Sequence, residues 1–570
     1  VAPQLPTDKN TPWPPVIWAP VARAQSLWSA WFSGSADELS FAYQGLGGNS
    51  RNATAFFSTS GEYSVSSQFR APMTSATATN DRYFWGQLTP AAEKRAKLHV
   101  PIAGDIASMS ADLLFAKKPR LEVTDKVGQA WLEERVDDEL HATLLEAAEV
   151  DAGLGGVYLR TVWDEQVSDR PWLDIVHPDA AVPTFRYGHL ASVIFWRVLE
   201  DSGDQVVRHL EQHNLIDGYI QHAVYIGDQI RIGTPDSLAN FEQLEPIVAA
   251  IGTAGGDTIN LPDLPQGAAT VTYIPNMRPN RLWRWVPGAA PVGRSDYQGV
   301  EGMMDALDET YSSWMRDVRL AKSRLMVPPS YLESRGPGKP AIADVDREVF
   351  IPMNMLAGAA DKSLITANQF AIRFAEHKAT ADALVSVIVH GAGYSPQTFG
   401  EQATSAGNVT ATEIEDRNRR SLLTRSKKIH YWKPRLADAA FSLMAVESAV
   451  FRKPGLKPER PDIVFPDAVL PSPQELAQTA VALSTAQAAS KQTLVGMVHP
   501  DWTQEQIDEE VLAIRDEEGF DVLARARVTL TPPQGSKATV GQEVQEIADT
   551  IAVDPTAQGV GADSGATLQT

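Results

Sequence analysis

Residues 293–325 read GRSDYQGVEGMMDALDETYSSWMRDVRLAKSRL. Ser295 followed three positions later by Gln298 has the spacing of a capping box, Asp296 suits a helix N-terminus, and Pro328-Pro329 forbids continuation. The stretch is therefore predicted helical as far as Leu325. Val300, Leu307, Trp314 and Ala321 recur at heptad spacing, and Met304, Tyr311, Val318 and Leu325 form the second series of the same seam. Such a seam has two readings. An amphipathic helix buried against its own domain is the commoner explanation of an isolated example; packing against other helices of an assembly is the sharper one.

Downstream, residues 326–350 carry Pro328, Pro329, Gly336, Pro337, Gly338 and Pro340 between β-prone pieces, which predicts a small strand-and-turn module. Phe370, Ile372 and Phe374 alternate as in a strand, residues 376–390 have helical periodicity, and Gly391 and Gly393 close that helix. A polar segment, 395–408, follows. Thr410 with Glu413 opens a further helical pattern to Phe451, with a kink expected at Pro434. A strand is expected at 462–465, two or three helices over 473–518, and a polar, disordered tail from 532.

Upstream the chain is β-rich. Alternation predicts a strand at 157–163, and short β-prone runs continue at 194–199, 205–213, 219–226 and 271–274. Ahead of these, helices are expected at 126–150 and at 89–116, the latter broken by Pro101, with a short aromatic helix near Trp28 to Phe32 and loops or an exposed hairpin over 50–80.

Composition narrows the functional classes. At 570 residues the chain is too long for one core, and 43% hydrophobic residues with 14 Trp argue for a folded interior. A formal charge of −21 disfavours a protein that grips nucleic acid over its whole surface, although it suits a passage through which DNA must slide. With no cysteine there are no disulfides, thiol nucleophiles or Cys-ligated zinc. No apolar run reaches the roughly 20 residues that span a bilayer, and the first twenty residues have Pro and Trp where a signal peptide is uninterrupted. A soluble protein without membrane partners is expected.

Catalytic, cofactor and metal sites are not expected. The nearest string to a nucleotide-binding loop, Gly336-Pro337-Gly338-Lys339-Pro340, has the wrong spacing. His209 and His213 flank Glu211 but fit a strand as well as a helix, and in a strand they do not form the helical metal pair. His99, His177, His189 and His377 form no triad with their acidic neighbours, and Asp137, Asp138 and Glu139 read as a solvated helix face. One local charge reversal stands out: Arg417, Arg419, Arg420, Arg425, Lys427 and Lys428, with Lys433 and Arg435 beyond. A solvated or salt-bridged face is the commoner reading of such a cluster; contact with a neighbouring subunit or with DNA phosphates is the alternative.

Three strings in this order resemble the portal proteins of tailed bacteriophages, particularly those of phages that infect actinobacteria: His99-Val100-Pro101-Ile102-Ala103-Gly104-Asp105-Ile106-Ala107; Gly293-Arg294-Ser295-Asp296-Tyr297 with Asp305-Ala306-Leu307-Asp308-Glu309-Thr310-Tyr311-Ser312-Ser313; and Gly393-Tyr394-Ser395-Pro396-Gln397-Thr398-Phe399-Gly400. The resemblance runs from about Trp13 to Gly519. It implies an elongated α+β portal fold of wing, stem, clip and crown, assembled into a ring of twelve subunits whose long helices line a central channel.

On that resemblance, 1–290 is the N-terminal wing region, 291–325 the stem helix and 326–370 a clip-like strand module. A second stem helix occupies 371–392, a tunnel loop 393–409, and the kinked helix with a wing strand 410–470. Crown helices fill 471–530 and the disordered tail 531–570. The stem helix would pack through Val300, Met304, Leu307, Tyr311, Trp314, Val318 and Leu325, and the tunnel loop would turn Gln397, Thr398, Glu401, Gln402 and Thr404 toward DNA. The implied location is one vertex of the virion capsid, and the implied partners are further copies of the chain, double-stranded DNA, the terminase large subunit, the major capsid and scaffolding proteins, and the head-completion adaptor and tail proteins. The implied role is structural, not enzymatic. Another virion ring protein, such as an adaptor or tail tube, is the competing reading, and a carbohydrate-active hydrolase a more distant one.

Overall fold

The structure, a computed structural model, describes residues 5–46, 83–87, 97–164, 166–252, 257–260, 264–265, 267–321, 324–327, 351–352, 366–368, 372–399, 411–449, 451, 455–466, 473–499, 502 and 506–517. Among these the chain mixes helix and sheet, the α+β class expected from the sequence. Contacts divide it into two units, 1–469 and 470–570.

The larger unit opens with α1 (Ala19–Ser33), whose Val21, Trp28 and Trp31 recur at helical spacing and are buried, before Gly34 turns left-handed and α2 (Ala36–Leu46) begins. An irregular stretch, 97–101, leads to α3 (Ile102–Phe115), which buries Ile106, Ala107, Leu114 and Phe115, and β1 (Arg120–Glu122) follows. Asp125 caps α4 (Lys126–Arg135) by accepting from Gly128 N at 2.9 Å. A π-helical turn, Val136–Leu140, carries the chain into α5 (His141–Leu154), which packs on α3.

Gly155, at φ 85°, ends α5 and the chain enters β2 (Gly156–Val162), the middle strand of a three-stranded antiparallel sheet with β3 (Trp172–Val176) and a later strand. A meander follows: β4 (Ala181–Arg186), β5 (His189–Asp201), β6 (Val206–Asn214), β7 (Tyr219–Gly227) and β8 (Thr234–Asp236) pair successively antiparallel. Short α6 (Glu245–Ile251) packs on the far end of this sheet, and β9 (Thr258–Asn260) pairs with β7. The chain then returns as β10 (Val271–Pro275) alongside β2.

Turns over 276–300 lead to α7 (Glu301–Leu320). Strand β11 (Arg324–Val327) pairs with β12 (Ile351–Pro352) and β13 (Thr366–Asn368), so strands do occur in the predicted strand module; the rest of 326–370 lies outside the described residues. Helix α8 (Phe374–Ala392) runs back beside α7 and closes on Gly393 at φ 101°. The long α9 (Ala411–Ala449) continues through Pro434 and lies against α3, β2 and β10, after which β14 (Asp462–Val464) pairs with β1. The second unit contains α10 (Pro473–Thr485), α11 (Lys491–Val498) and a third helix, α12, at 506–517, with Val495 and Val511 buried. The tail 531–570 and the loop 50–80 lie outside the described residues.

Four expectations need correction. The helix predicted from Ser295 starts at Glu301, because Ser295 and Gln298 are drawn into tertiary hydrogen bonds described below and do not cap a helix. The same helix ends at Leu320, so Leu325 lies on β11 and not on the seam. Phe374, expected on a strand, is the first residue of α8. Leu98 precedes α3 and lies outside any helix, since Pro101 disfavours helical backbone at its N-terminal neighbour.

Candidate functional site

The segment 293–300 is held in place by backbone contacts before any side chain acts. A Cβ on Gly293 would lie 2.2 Å from Gly155 O, and one on Gly155 would lie 2.8 Å from Ser295 N. Only glycines permit this approach, and Gly155 also needs the left-handed backbone. Asp296 N donates to Ala152 O at 3.0 Å and Arg294 N to Met277 O at 3.0 Å, so the turn is wedged between the end of α5 and the chain leaving β10. Ser295 Oγ donates to Ala152 O and accepts from Tyr297 N, each at 3.3 Å, and Gln298 Nε2 donates to Asn280 Oδ1 at 3.2 Å. Tyr297 OH reaches Trp28 O at 2.9 Å on α1.

That wedge aims Asp296 into the interior. Its Oδ2 accepts from Lys428 Nζ at 2.5 Å and from Tyr394 OH at 2.6 Å, and its Oδ1 from Asn276 Nδ2 at 2.8 Å. Lys428 also donates to Ser110 Oγ at 2.5 Å. All of these side chains are buried, as is Asp151, whose Oδ2 accepts from Trp432 Nε1 at 2.9 Å. Burial raises the Asp151 carboxyl well above its ordinary value, against the opposing pull of Lys428 and Trp432. Tyr394 is likewise raised, first by burial and then by the Asp296 charge. One network therefore ties together α3, α5, the turn before α7, the end of α8 and the middle of α9.

A second set of carboxylates lies along α7 itself. Asp305 accepts from the backbone N–H groups of Phe84 (2.8 Å) and Trp85 (3.1 Å), while Asp308 accepts from Val100 N (2.8 Å) and Trp85 Nε1 (2.9 Å) and lies 2.8 Å from His99 Nδ1. Ser312 Oγ adds a bond from Leu98 N at 2.9 Å. Positions 305, 308 and 312 share one helix face, so α7 presents a row of acceptors to two incoming stretches of chain, the turn at 83–87 and the segment before α3. Lys97 Nζ closes the arrangement by donating to the carbonyls of Phe84 and Trp85. Burial raises the Asp305 carboxyl despite the two N–H groups it accepts.

The three strings that carry the family resemblance thus meet in space: His99 and Val100 on Asp308, and Tyr394 on Asp296.

Helices α7 and α8 form an antiparallel pair. At its base a Cβ on Gly391 would lie 2.3 Å from Val300 Cγ1, and at its far end Trp314 stacks on His377 (6.1 Å) and meets Phe374 edge-on (5.4 Å). Asp317 Oδ2 lies 3.0 Å from His377 Nε2 and 3.1 Å from Arg373 Nη2. The hydrogen bond from His377, with help from Arg373, holds Asp317 below the usual carboxylate range. Of the predicted seam, Val300, Met304 and Leu307 are buried, Tyr311 and Trp314 are half-buried, and Val318 is exposed; the side chain of Leu325 lies outside the described residues. Burial fades toward the far end, where Met315, Val318, Leu320, Ile372 and Phe374 are exposed.

The basic cluster on α9 is split by its own helix periodicity. Lys428 is the buried partner of Asp296, Arg425 donates to Leu113 O at 2.6 Å and also to Pro466 O, and Arg420 donates to His390 O at 2.6 Å. Lys428 is therefore unavailable for DNA or a neighbouring subunit, and Arg425 is committed to the fold. Arg419 and Lys427 are exposed, Lys433 pairs with Asp462 at 2.9 Å, and Arg435 pairs with Asp438 at 3.2 Å. The side chain of Arg417 lies outside the described residues.

Of the predicted tunnel loop, residues 396–399 form a 3-10 turn in which Gln397 is exposed and Thr398 Oγ1 is bonded to Asn418 (3.1 Å) and Ser421 (2.8 Å) on α9. Glu401, Gln402 and Thr404 lie outside the described residues.

His209 and His213 lie on β6. His209 stacks on His222 with Nε2 to Nδ1 at 3.2 Å, and His213 Nε2 lies 2.6 Å from Glu211, which also accepts from Arg160 at 2.6 Å. Among the described residues no group of three or more His, Asp or Glu side chains is placed to hold a metal ion, and no helix is long and apolar enough to cross a membrane.

Sequence reasoning missed the acceptor row, because nothing local in the sequence marks a helix carboxylate as the partner of backbone N–H groups two hundred residues away. The signal available was only that both lie next to the seam residues Met304 and Leu307. No family model matches the sequence, and no curated protein matches it.

Proposed function

We propose that this chain is a portal-type ring subunit of a tailed phage, a structural element of one capsid vertex through which double-stranded DNA is packaged and ejected. The observation that carries the reading is the antiparallel pair α7 and α8, whose apolar seam among the described residues is buried at the base, half-buried at Tyr311 and Trp314 and exposed at Val318 toward the far end. A helix that needed only its own domain would have that seam covered along its length. An open half suits packing against the same helices of neighbouring copies, which in a closed ring would line a channel. The convergence of the three resembling strings at the base of this pair supports the same reading, since it gives those residues one shared job: fixing the helices to the body of the subunit.

The mechanism is mechanical. A ring with an acidic or neutral lining presents DNA with few phosphate anchors, so the duplex slides; a separate motor would supply the energy during packaging, and adaptor proteins would replace it afterwards. Electron microscopy of the purified full chain tests the proposal. Rings with a central hole are expected, and compact monomers at all concentrations would overturn it.

A further inference from the structure

Residues 278–292 form a turn-rich loop between β10 and α7. It is anchored at several points. Asn280 is buried, donates to Gly293 O at 3.1 Å and accepts from Leu282 N at 3.0 Å, while Trp283 is buried against Trp28 with ring centroids 5.4 Å apart. Successive turns from Trp283 to Val286, Val286 to Ala289 and Ala289 to Val292 then pin the return. From this fixed frame two large apolar side chains project into solvent: Trp285 is 80% exposed and Leu282 60% exposed. Arg284 lies over the Trp285 ring at 4.9 Å, and Arg281, four residues before Trp285 in the same loop, is exposed. Neither arginine makes an ion pair with any described residue, and no acidic residue occurs between Asn276 and Ser295.

Exposed Trp and Arg on a pre-organised loop are the residues that dominate protein interfaces, because little ordering entropy remains to be lost on binding. The complementary surface exists elsewhere on the same chain. Around the small cluster of Val207, Val224, Leu238 and Leu244 at one end of the meander, Glu242 and Glu245, which flank Leu244 in the chain, are exposed, with Phe241 and Val248 only partly covered. That corner offers apolar surface rimmed by carboxylates, and the chain as a whole carries −21.

We infer that the 278–292 loop is a projection that docks on the acidic meander corner of a second copy, Trp285 and Leu282 seating against its apolar surface and Arg281 and Arg284 meeting its carboxylates. Two different patches in contact make a head-to-tail interface, the kind that closes rings. The inference rests on the ring reading for its biological setting, but its contact is testable separately.

The experiment places a photo-crosslinking amino acid at position 285 in the full chain and compares W285A and R281E/R284E with the unaltered protein by sedimentation and electron microscopy. Crosslinks between copies that map to 200–251 are expected. Assembly should weaken about tenfold or more in both variants, and adding E242R/E245R to R281E/R284E should restore it. An exposed loop should leave the circular dichroism of both variants unchanged. Rings that form undiminished in both variants would overturn the loop inference while leaving the portal reading intact. Crosslinked dimers through 200–251 without rings would uphold the loop and sink the portal reading. Crosslinking to added DNA alone, or a monomer that never crosslinks, would overturn the loop inference.

Discussion

Lys428 Nζ lies 2.5 Å from Asp296 Oδ2 in a fully buried ion pair that joins two stretches of chain 132 residues apart. A buried pair is held together less by net gain than by the cost of breaking it, since removal of one partner leaves an uncompensated charge in the interior. Lys428→Met should therefore destabilise the larger unit by about 3–5 kcal/mol, read as a lowered denaturation midpoint. Adding Asp296→Asn to that variant should recover part of the loss, because the orphaned charge is gone. A single variant as stable as the parent would show that the pair contributes nothing.

Asp308 accepts two N–H groups and contacts His99, all from chain that precedes it by two hundred residues or more. Asp308→Ala should cost about 2–3 kcal/mol, the scale of hydrogen bonds to a charged group, and should release the segment around Trp85 and His99 first. Hydrogen exchange at Trp85 and Val100 measures this; unchanged protection there with a lowered overall stability would contradict the assignment.

The regular elements were legible because their signals are local. The alternation at 157–163 and the β-prone runs at 205–213, 219–226 and 271–274 correspond to β2, β6, β7 and β10, each strand bounded within a residue or two of its prediction. The turn at 293–300 was not legible, because a capping box and a tertiary wedge use the same residue types, and only the approach of Gly155 and Gly293 decides between them. The basic cluster on α9 misled for a related reason: charge can be read from a sequence, but which side of a long helix faces Asp296 depends on partners more than a hundred residues away. The roles proposed for the tunnel loop and the open seam were never local properties, since they concern what lies beyond one copy of the chain.

Burial, reinforced by His222 and Arg197 around His209 and by His213, Arg160 and Arg197 around His222, pushes both imidazoles below their ordinary value against the opposing pull of Glu211. The folded protein therefore holds them neutral while the unfolded chain takes up protons below about pH 6.5. Their contribution to stability is complete above that pH and declines as pH falls toward their folded values. Burial works to raise Glu211, but Arg160 and His213 together prevail and hold it low, so its contribution is lost only at more acidic pH, below about 4.3. Thermal midpoints should fall between pH 7 and pH 5, and the fall should be shallower in His209→Gln/His222→Gln. A parallel slope in that variant would place the acid sensitivity elsewhere.

The open end of the α7 and α8 pair carries Val318 and Phe374, both exposed, close to the Trp314 and His377 stack. Replacing them with acidic residues, Val318→Glu and Phe374→Asp, removes within one subunit only the edge-on contact of Phe374 with Trp314, so the isolated chain should lose about 0.5–1.5 kcal/mol of stability in the Phe374 variant and about 0.5 kcal/mol or less in the Val318 variant. If these side chains pack against neighbouring copies, the same changes bury charge at an apolar interface and should abolish or strongly weaken rings. The two measurements separate folding from assembly: a larger loss of stability in the monomer would assign the residues to the subunit's own core, whereas intact monomers that no longer assemble would assign them to the contact between copies. Rings unaffected by both substitutions would mean that the exposed part of the seam faces solvent or DNA, and the helix pair would then owe its amphipathic pattern to the residues buried at its base, Val300, Met304 and Leu307 with Ile388 and Val389.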